Sequence, residues 1–135
     1  LADGAGGENA GNVASSLAVS TVAHEVEQKS RERGFDVLGL PLGARRLSAS
    51  VQAANRQIVE VAQSSDRFHG MGTTVVAVSI ESDVGVLHLA HVGDSRCYRL
   101  RSEQVELLTQ DHSLANDVLE LAPELEAERA AALPK

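Results

Sequence analysis

The apolar side chains of this chain change their spacing about half-way along it, and that change limits what it can fold into. From Ala10 to about Arg33, Val13, Leu17, Val22 and Val26 recur at helical intervals with Ala14, Ala18 and Ala23 beside them. Glu25, Gln28, Lys29 and Glu32 are left outward. The pattern predicts a long amphipathic helix, with Asn9 placed to cap it and Gly34 to end it. Leu47, Val51, Ala54, Ile58 and Val61 form a second stripe of the same period, so two antiparallel helices packed together are expected. From Thr73 to Ile80 that period is gone. The run is β-branched and apolar on both faces, as in a strand buried between two layers.

The segments between these runs read as connections. Phe35 to Gly43, built around Gly39-Leu40-Pro41, is a connector, because proline disfavours helix for the residue before it. Ser82-Asp83 with Gly85 predicts a tight turn and Val86 to Val92 the returning strand. Arg96 to Leu100 and Val105 to Leu108 predict a second hairpin around Ser102-Glu103-Gln104, which makes the expected sheet an antiparallel meander. From Ser113 the chain turns acidic and helical, with Leu114, Val118 and Leu121 on one face. Pro123 then opens a short helix whose Glu124, Glu126 and Glu128 form a solvated face.

At 135 residues the chain has the length of one domain, enough to bury about two-thirds of the surface its unfolded form exposes. Hydrophobic residues at 43% and charged residues at 23% exclude a disordered or collagen-like chain. Phe35, Phe68 and Tyr98 are the whole aromatic complement, so the core is expected to be built from Val, Leu, Ile and Ala. A net charge of −7 argues against a nucleic-acid or anionic-membrane partner, which needs a basic surface, and leaves cationic partners such as metal ions open. Cys97 has no second cysteine to pair with, which fits a reducing, cytoplasmic setting. No apolar run approaches the roughly 20 residues that span a bilayer. Opening at Leu1 on a glycine-rich loop, the sequence reads as a piece of a longer protein.

Two carboxylates stand where chemistry can be done. Asp3-Gly4-Ala5-Gly6-Gly7 precedes the first helix, and so many glycines let backbone approach a bound ion or phosphate closely. A dinucleotide-binding G-x-G-x-x-G laid on Gly4 needs glycine at position 9 and meets Asn9. Two readings survive: a structural turn, or Asp3 as a hard oxygen ligand with the Gly4 carbonyl beside it. Asp94, between Gly93 and Ser95 at the end of an apolar strand, is either an active-site carboxylate held by the scaffold or part of an Asx turn. Other combinations are weaker. His24-Glu25 lacks the second histidine of a zinc-protease motif, since position 28 is Gln28. Ser95, Asp111 and His112 have no nucleophile elbow, and His69, His88 and His91 lack partners at metal-ligand spacing.

Order along the chain adds what no single motif carries. Asp3-Gly4-x-Gly6-Gly7 is followed by Gly11 and Ala14-Ser15, then Gly70-Met71-Gly72-Thr73-Thr74, and then Ala90-x-Val92-Gly93-Asp94-Ser95-Arg96-x-Tyr98. Leu108-Thr109-Gln110-Asp111-His112-Ser113-Leu114 completes the series. In these motifs and their order the chain resembles the bacterial-type protein phosphatase 2C family over nearly its whole length. The resemblance implies an α+β fold, an antiparallel β-sandwich flanked by helix pairs, of which residues 1–135 are a central, incomplete part.

It also implies metal-dependent hydrolysis of phosphoserine and phosphothreonine in proteins, by a water bridging two of two or three Mn2+ or Mg2+ ions. Asp3 corresponds to the bridging carboxylate, Gly4 to the residue whose carbonyl joins it, and Asp94 to a ligand of a third ion. Gly6, Gly7, Gly70, Gly72 and Arg96 correspond to structural positions, and Thr73-Thr74 is expected to begin a strand and do no chemistry. Ala5 departs from the family's methionine or histidine. The family's upstream acidic pair and arginine, and its two downstream aspartates, are absent. The chain alone is therefore expected to be inactive; a catalytically dead binding or regulatory module is the alternative. Missing strands would leave sheet edges unpaired, which predicts self-association.

Overall fold

The computed structural model describes residues 1–28 and 33–113. The acidic helical tail expected from Ser113 lies, beyond Ser113 itself, outside the described residues, as do the outward Lys29 and Glu32. The chain divides into two compact units, Leu1–Ser95 and a second that starts at Arg96.

In the first unit the element order is β1 (Gly4–Ala5), α1 (Glu8–Gln28), α2 (Leu42–Ser64), a 3-10 turn (Asp66–Phe68), β2 (Gly72–Thr73), β3 (Val75–Glu81) and β4 (Val86–Val92). Helix α1 takes its first bond from the Gly11 N–H to the Gly7 carbonyl, 3.0 Å. Gly7 is therefore the cap, and Asn9, expected there, lies inside the first turn. The stripe that α1 buries is Ala10, Ala14, Ala18 and Thr21, while Val13, Leu17 and Val22 flank it half-buried. Small side chains take the centre because α2 lies close. Thr21 Oγ1 donates to Gln57 Oε1 across the helix pair at 2.7 Å.

Helix α2 follows the expected stripe, burying Leu47, Val51, Ala54 and Ile58, with Val61 at its margin. It begins at Leu42, so Gly43 is helical and not part of the connector. A Cβ on Gly43 would come 2.3 Å from His88 Nε2 and 2.5 Å from Glu81 Oε1, so any side chain there requires the tips of His88 and Glu81 to shift. The connector closes on itself by a bridge between Phe35 and Pro41. The Asp36 carboxylate accepts from the N–H groups of Leu38 and Leu40, both at 2.8 Å, and from Arg45 Nη1 at 2.9 Å.

Strands β3 and β4 pair antiparallel from Val75↔Val92 to Glu81↔Val86, around the expected turn at Ser82–Gly85. Burial on both faces holds only at Val75 and Val76; Val78 is 44% and Ile80 68% exposed. The helices cover one face of this hairpin, and Val78, Ile80 and Leu87 stand open. The core joins Ala10, Ala14, Ala18, Val51, Ile58, Met71 and Val75, with Phe68 against it.

In the second unit β5 (Tyr98–Arg101) and β6 (Gln104–Leu107) form a hairpin. Its turn has two residues, Ser102 and Glu103, with φ of 48° and 65°, so Gln104 belongs to the strand. Arg96 forks onto Asp111, Nε to Oδ1 at 2.9 Å and Nη2 to Oδ2 at 2.7 Å, the hydrogen bond that most raises its own pKa. The antiparallel helix-and-strand composition is as expected, but the meander is not. Each of β1–β2, β3–β4 and β5–β6 is a separate two-stranded sheet. The break follows Val92, where Gly93 and Asp94 bend the chain away from the ladder.

Candidate metal centre

Residues 1–5 run antiparallel to Gly72–Val76. Leu1 and Val76 exchange both backbone hydrogen bonds, at 3.0 and 2.9 Å. The Thr74 N–H donates to the Asp3 carbonyl at 2.9 Å, and Gly4 and Ala5 lie opposite Thr73 and Gly72. Alternate residues of an antiparallel ladder turn their polar groups to opposite sides. With Asp3 bonded to Thr74, the Gly4 carbonyl is directed away from β2. The start of α1 packs directly on this glycine: a Cβ at Gly4 would fall 2.0 Å from the Gly11 carbonyl oxygen.

Asp94 lies just beyond β4, and one side chain ties its loop to that of Asp3. The Asp3 N–H donates to Thr74 Oγ1 at 3.2 Å, and the same Oγ1 is 2.7 Å from Ser95 Oγ. Thr73 adds its own hydroxyl to the Asp3 carbonyl at 3.0 Å. Beyond the strand start expected of the Thr73-Thr74 pair, both hydroxyls bond the Asp3 segment, a structural role that the sequence reading does not include. A repeated threonine between Gly72 and an apolar strand was the available signal.

Asp3, Gly4 and Asp94 are all exposed. Neither Asp3 nor Asp94 has a carboxylate hydrogen bond or ion pair with another of the described residues. Two carboxylates and a main-chain carbonyl are hard oxygen donors of the kind Mn2+ or Mg2+ takes, and fewer than the six such an ion needs. Among the described residues, no three or more His, Cys, Asp or Glu side chains gather at one point.

The competing combinations are committed elsewhere. Ser95 Oγ meets Thr74 and Asp111 is held by Arg96, so neither serves a triad. His88 Nε2 lies 3.2 Å from Glu81 Oε1, which Arg46 Nη2 also approaches at 3.3 Å, a packing role as expected.

Comparison with known proteins sets this arrangement in a family. The family model described as protein phosphatase 2C matches residues 1–131. The chain belongs to the protein phosphatase 2C family. Serine/threonine phosphatase stp of Listeria welshimeri is 36% identical over 119 residues, covering 88% of this chain and 44% of its own length. PstP of Mycobacterium tuberculosis is 35% identical over 120 residues, 89% of this chain and 21% of its own. A crystal structure of M. tuberculosis PstP superposes with a TM-score of 0.71 at 33% identity, over 90% of this chain and 47% of that one. The catalytic domain of PstP in complex with two manganese ions gives 0.69 at 33%, over 93% and 51%. This protein phosphatase 2C chain thus spans about half or less of the length of the relatives it matches.

Proposed function

We propose that residues 1–135 are the central part of a protein phosphatase 2C catalytic domain whose complete form hydrolyses phosphoserine and phosphothreonine esters in proteins. Asp3 and the Gly4 carbonyl would hold the ions of a binuclear Mn2+ or Mg2+ centre, and Asp94 would help hold a third. The observation that carries this reading is that the Asp3 N–H and the hydroxyl of Ser95, the residue next to Asp94, meet on one threonine hydroxyl, while the two carboxylates, far apart in sequence, have no protein partner among the described residues. Family membership and the two manganese ions of the PstP domain support it.

When bound, such ions lower the pKa of water and offset the negative charge of the phosphoryl group. The residues of this chain supply the placement. Asp3 is fixed through both its N–H and its carbonyl, so its carboxylate leaves a backbone that cannot swing. Gly4 presents a carbonyl where any side chain would collide with α1.

With three donors against a requirement of about six per ion, the chain alone binds metal weakly and turns over no substrate. The second reading is a non-catalytic phosphatase-like binding module. Cys97, free of any partner cysteine, suits a cytoplasmic location. Open strand edges favour self-association of the isolated chain, against which a monodisperse monomer in light scattering would count. Among the described residues, no helix is long and apolar enough to cross a membrane.

The deciding experiment compares Mn2+-dependent hydrolysis of an aryl phosphate by the full-length protein and its Asp3→Ala variant. A loss of at least about 100-fold is expected, beyond what removing an outer partner of a ligand costs. Equal rates would remove Asp3 from the mechanism, and a full-length protein inert with Mn2+ would favour the binding module.

A further inference from the structure

Thr74 lies between β2 and β3, partly buried, and both branches of its side chain are engaged. Its hydroxyl accepts the Asp3 N–H at 3.2 Å and lies 2.7 Å from Ser95 Oγ, the residue next to Asp94. A threonine hydroxyl has one proton and two lone pairs, so it can accept from Asp3 and still bond Ser95. Its methyl packs on the turn before Asp94: a Cβ on Gly93 would come 2.7 Å from Thr74 Cγ2. The position is also where a regular ladder fails. The Asp3 N–H, whose ladder partner would be the Thr74 carbonyl, goes to the side chain instead, and that carbonyl lies 2.9 Å from Thr73 Oγ1.

We propose that Thr74 is a positioning residue of the metal centre, whose hydroxyl fixes the Asp3 loop against the Asp94 loop and so sets the metal affinity of both carboxylates. The proposal rests on the reading of Asp3 and Asp94 as ligands. Its physical basis is that Asp3 and Asp94 stand on separate segments, in exposed positions, with no protein partner for either carboxylate among the described residues. Two such ligands act as one site only if their backbones are held, because cage rigidity sets affinity as much as charge. Partners of this kind typically contribute 10- to 100-fold in metal affinity.

The test uses Mn2+ alone, binding followed by loss of the free-ion electron paramagnetic resonance signal, on the full-length protein and its Thr74→Val, Thr74→Ser and Asp3→Asn variants. Valine keeps the shape and removes the hydroxyl; serine keeps the hydroxyl and removes the methyl. Thr74→Val should weaken Mn2+ binding by about 10-fold or more, with Thr74→Ser within a few-fold of the parent, and excess Mn2+ should restore much of the lost rate. Wild-type affinity in Thr74→Val, or equal losses in the valine and serine variants, would overturn the proposal. If Asp3→Asn loses Mn2+ and Thr74→Val does not, Thr74 alone is refuted. If Asp3→Asn binds as the parent does, the metal-centre reading falls and this proposal with it. Should Thr74→Val fail to fold by circular dichroism, Ser95→Ala reports from the other end of the bridge: weakened binding supports it, unchanged binding overturns it.

Discussion

Gly43 shows how far a single residue governs the packing. Hydrogen at this position lets α2 sit against His88, whose side chain is only 7% exposed, and against Glu81. Glu81 in turn lies within 3.3 Å of Arg46, so one carboxylate links α2, β3 and β4. Gly43→Ala should destabilise by about 1–3 kcal/mol, the usual cost of overpacking a tight contact, measured by urea denaturation. An unchanged midpoint would mean that the His88 and Glu81 side chains turn aside at little cost. None of this is legible in the sequence, which offers a glycine two residues after a proline, with Glu81 and His88 far along the chain, and only the fold brings them together. Thr74 escaped for the same reason. Its value lies in Asp3 and Ser95, both remote in the chain.

Among the elements, α2 was readable because its large apolar residues and its buried face coincide. In α1 they do not. Val13, Leu17 and Val22 carry the hydropathy, but the approach of α2 selects Ala10, Ala14 and Ala18 for the centre. The connector between the helices hides a similar device. Asp36 gathers the loop, and its pKa is lowered chiefly by the hydrogen bond from the Leu40 N–H, helped by Leu38 and Arg45 and opposed by desolvation. A lowered folded-state value means that its contribution is complete above the ordinary 3.8 and fades as the pH falls through the lower value. Amide exchange at Leu38 and Leu40, normalised for intrinsic rates, should stay slow down to about pH 5 and quicken below 3.8. Asp36→Asn should abolish that acid-dependent change. A transition centred above 3.8 would contradict the assignment. The β5–β6 turn is one residue shorter than its sequence suggests, because Ser102-Glu103 lacks the glycine that usually marks a two-residue hairpin turn.

For the molecule as a whole, the motifs foretold the family and the helix-plus-antiparallel composition, and the unfinished sheets match a chain that spans about half of its structural relatives. Val78 and Ile80 read as part of a strand buried on both faces, yet the described residues provide cover on one side only. Joint metal binding by the two loops is the claim from which the enzymatic reading descends. It is tested most directly by titrating substoichiometric Mn2+ into isotope-labelled full-length protein and following paramagnetic broadening of its amide resonances. Asp3, Gly4 and Asp94 should broaden together and first, and Asp3→Asn should suppress the effect at Asp94 as well. Broadening that reaches one of these loops and spares the other would contradict the account.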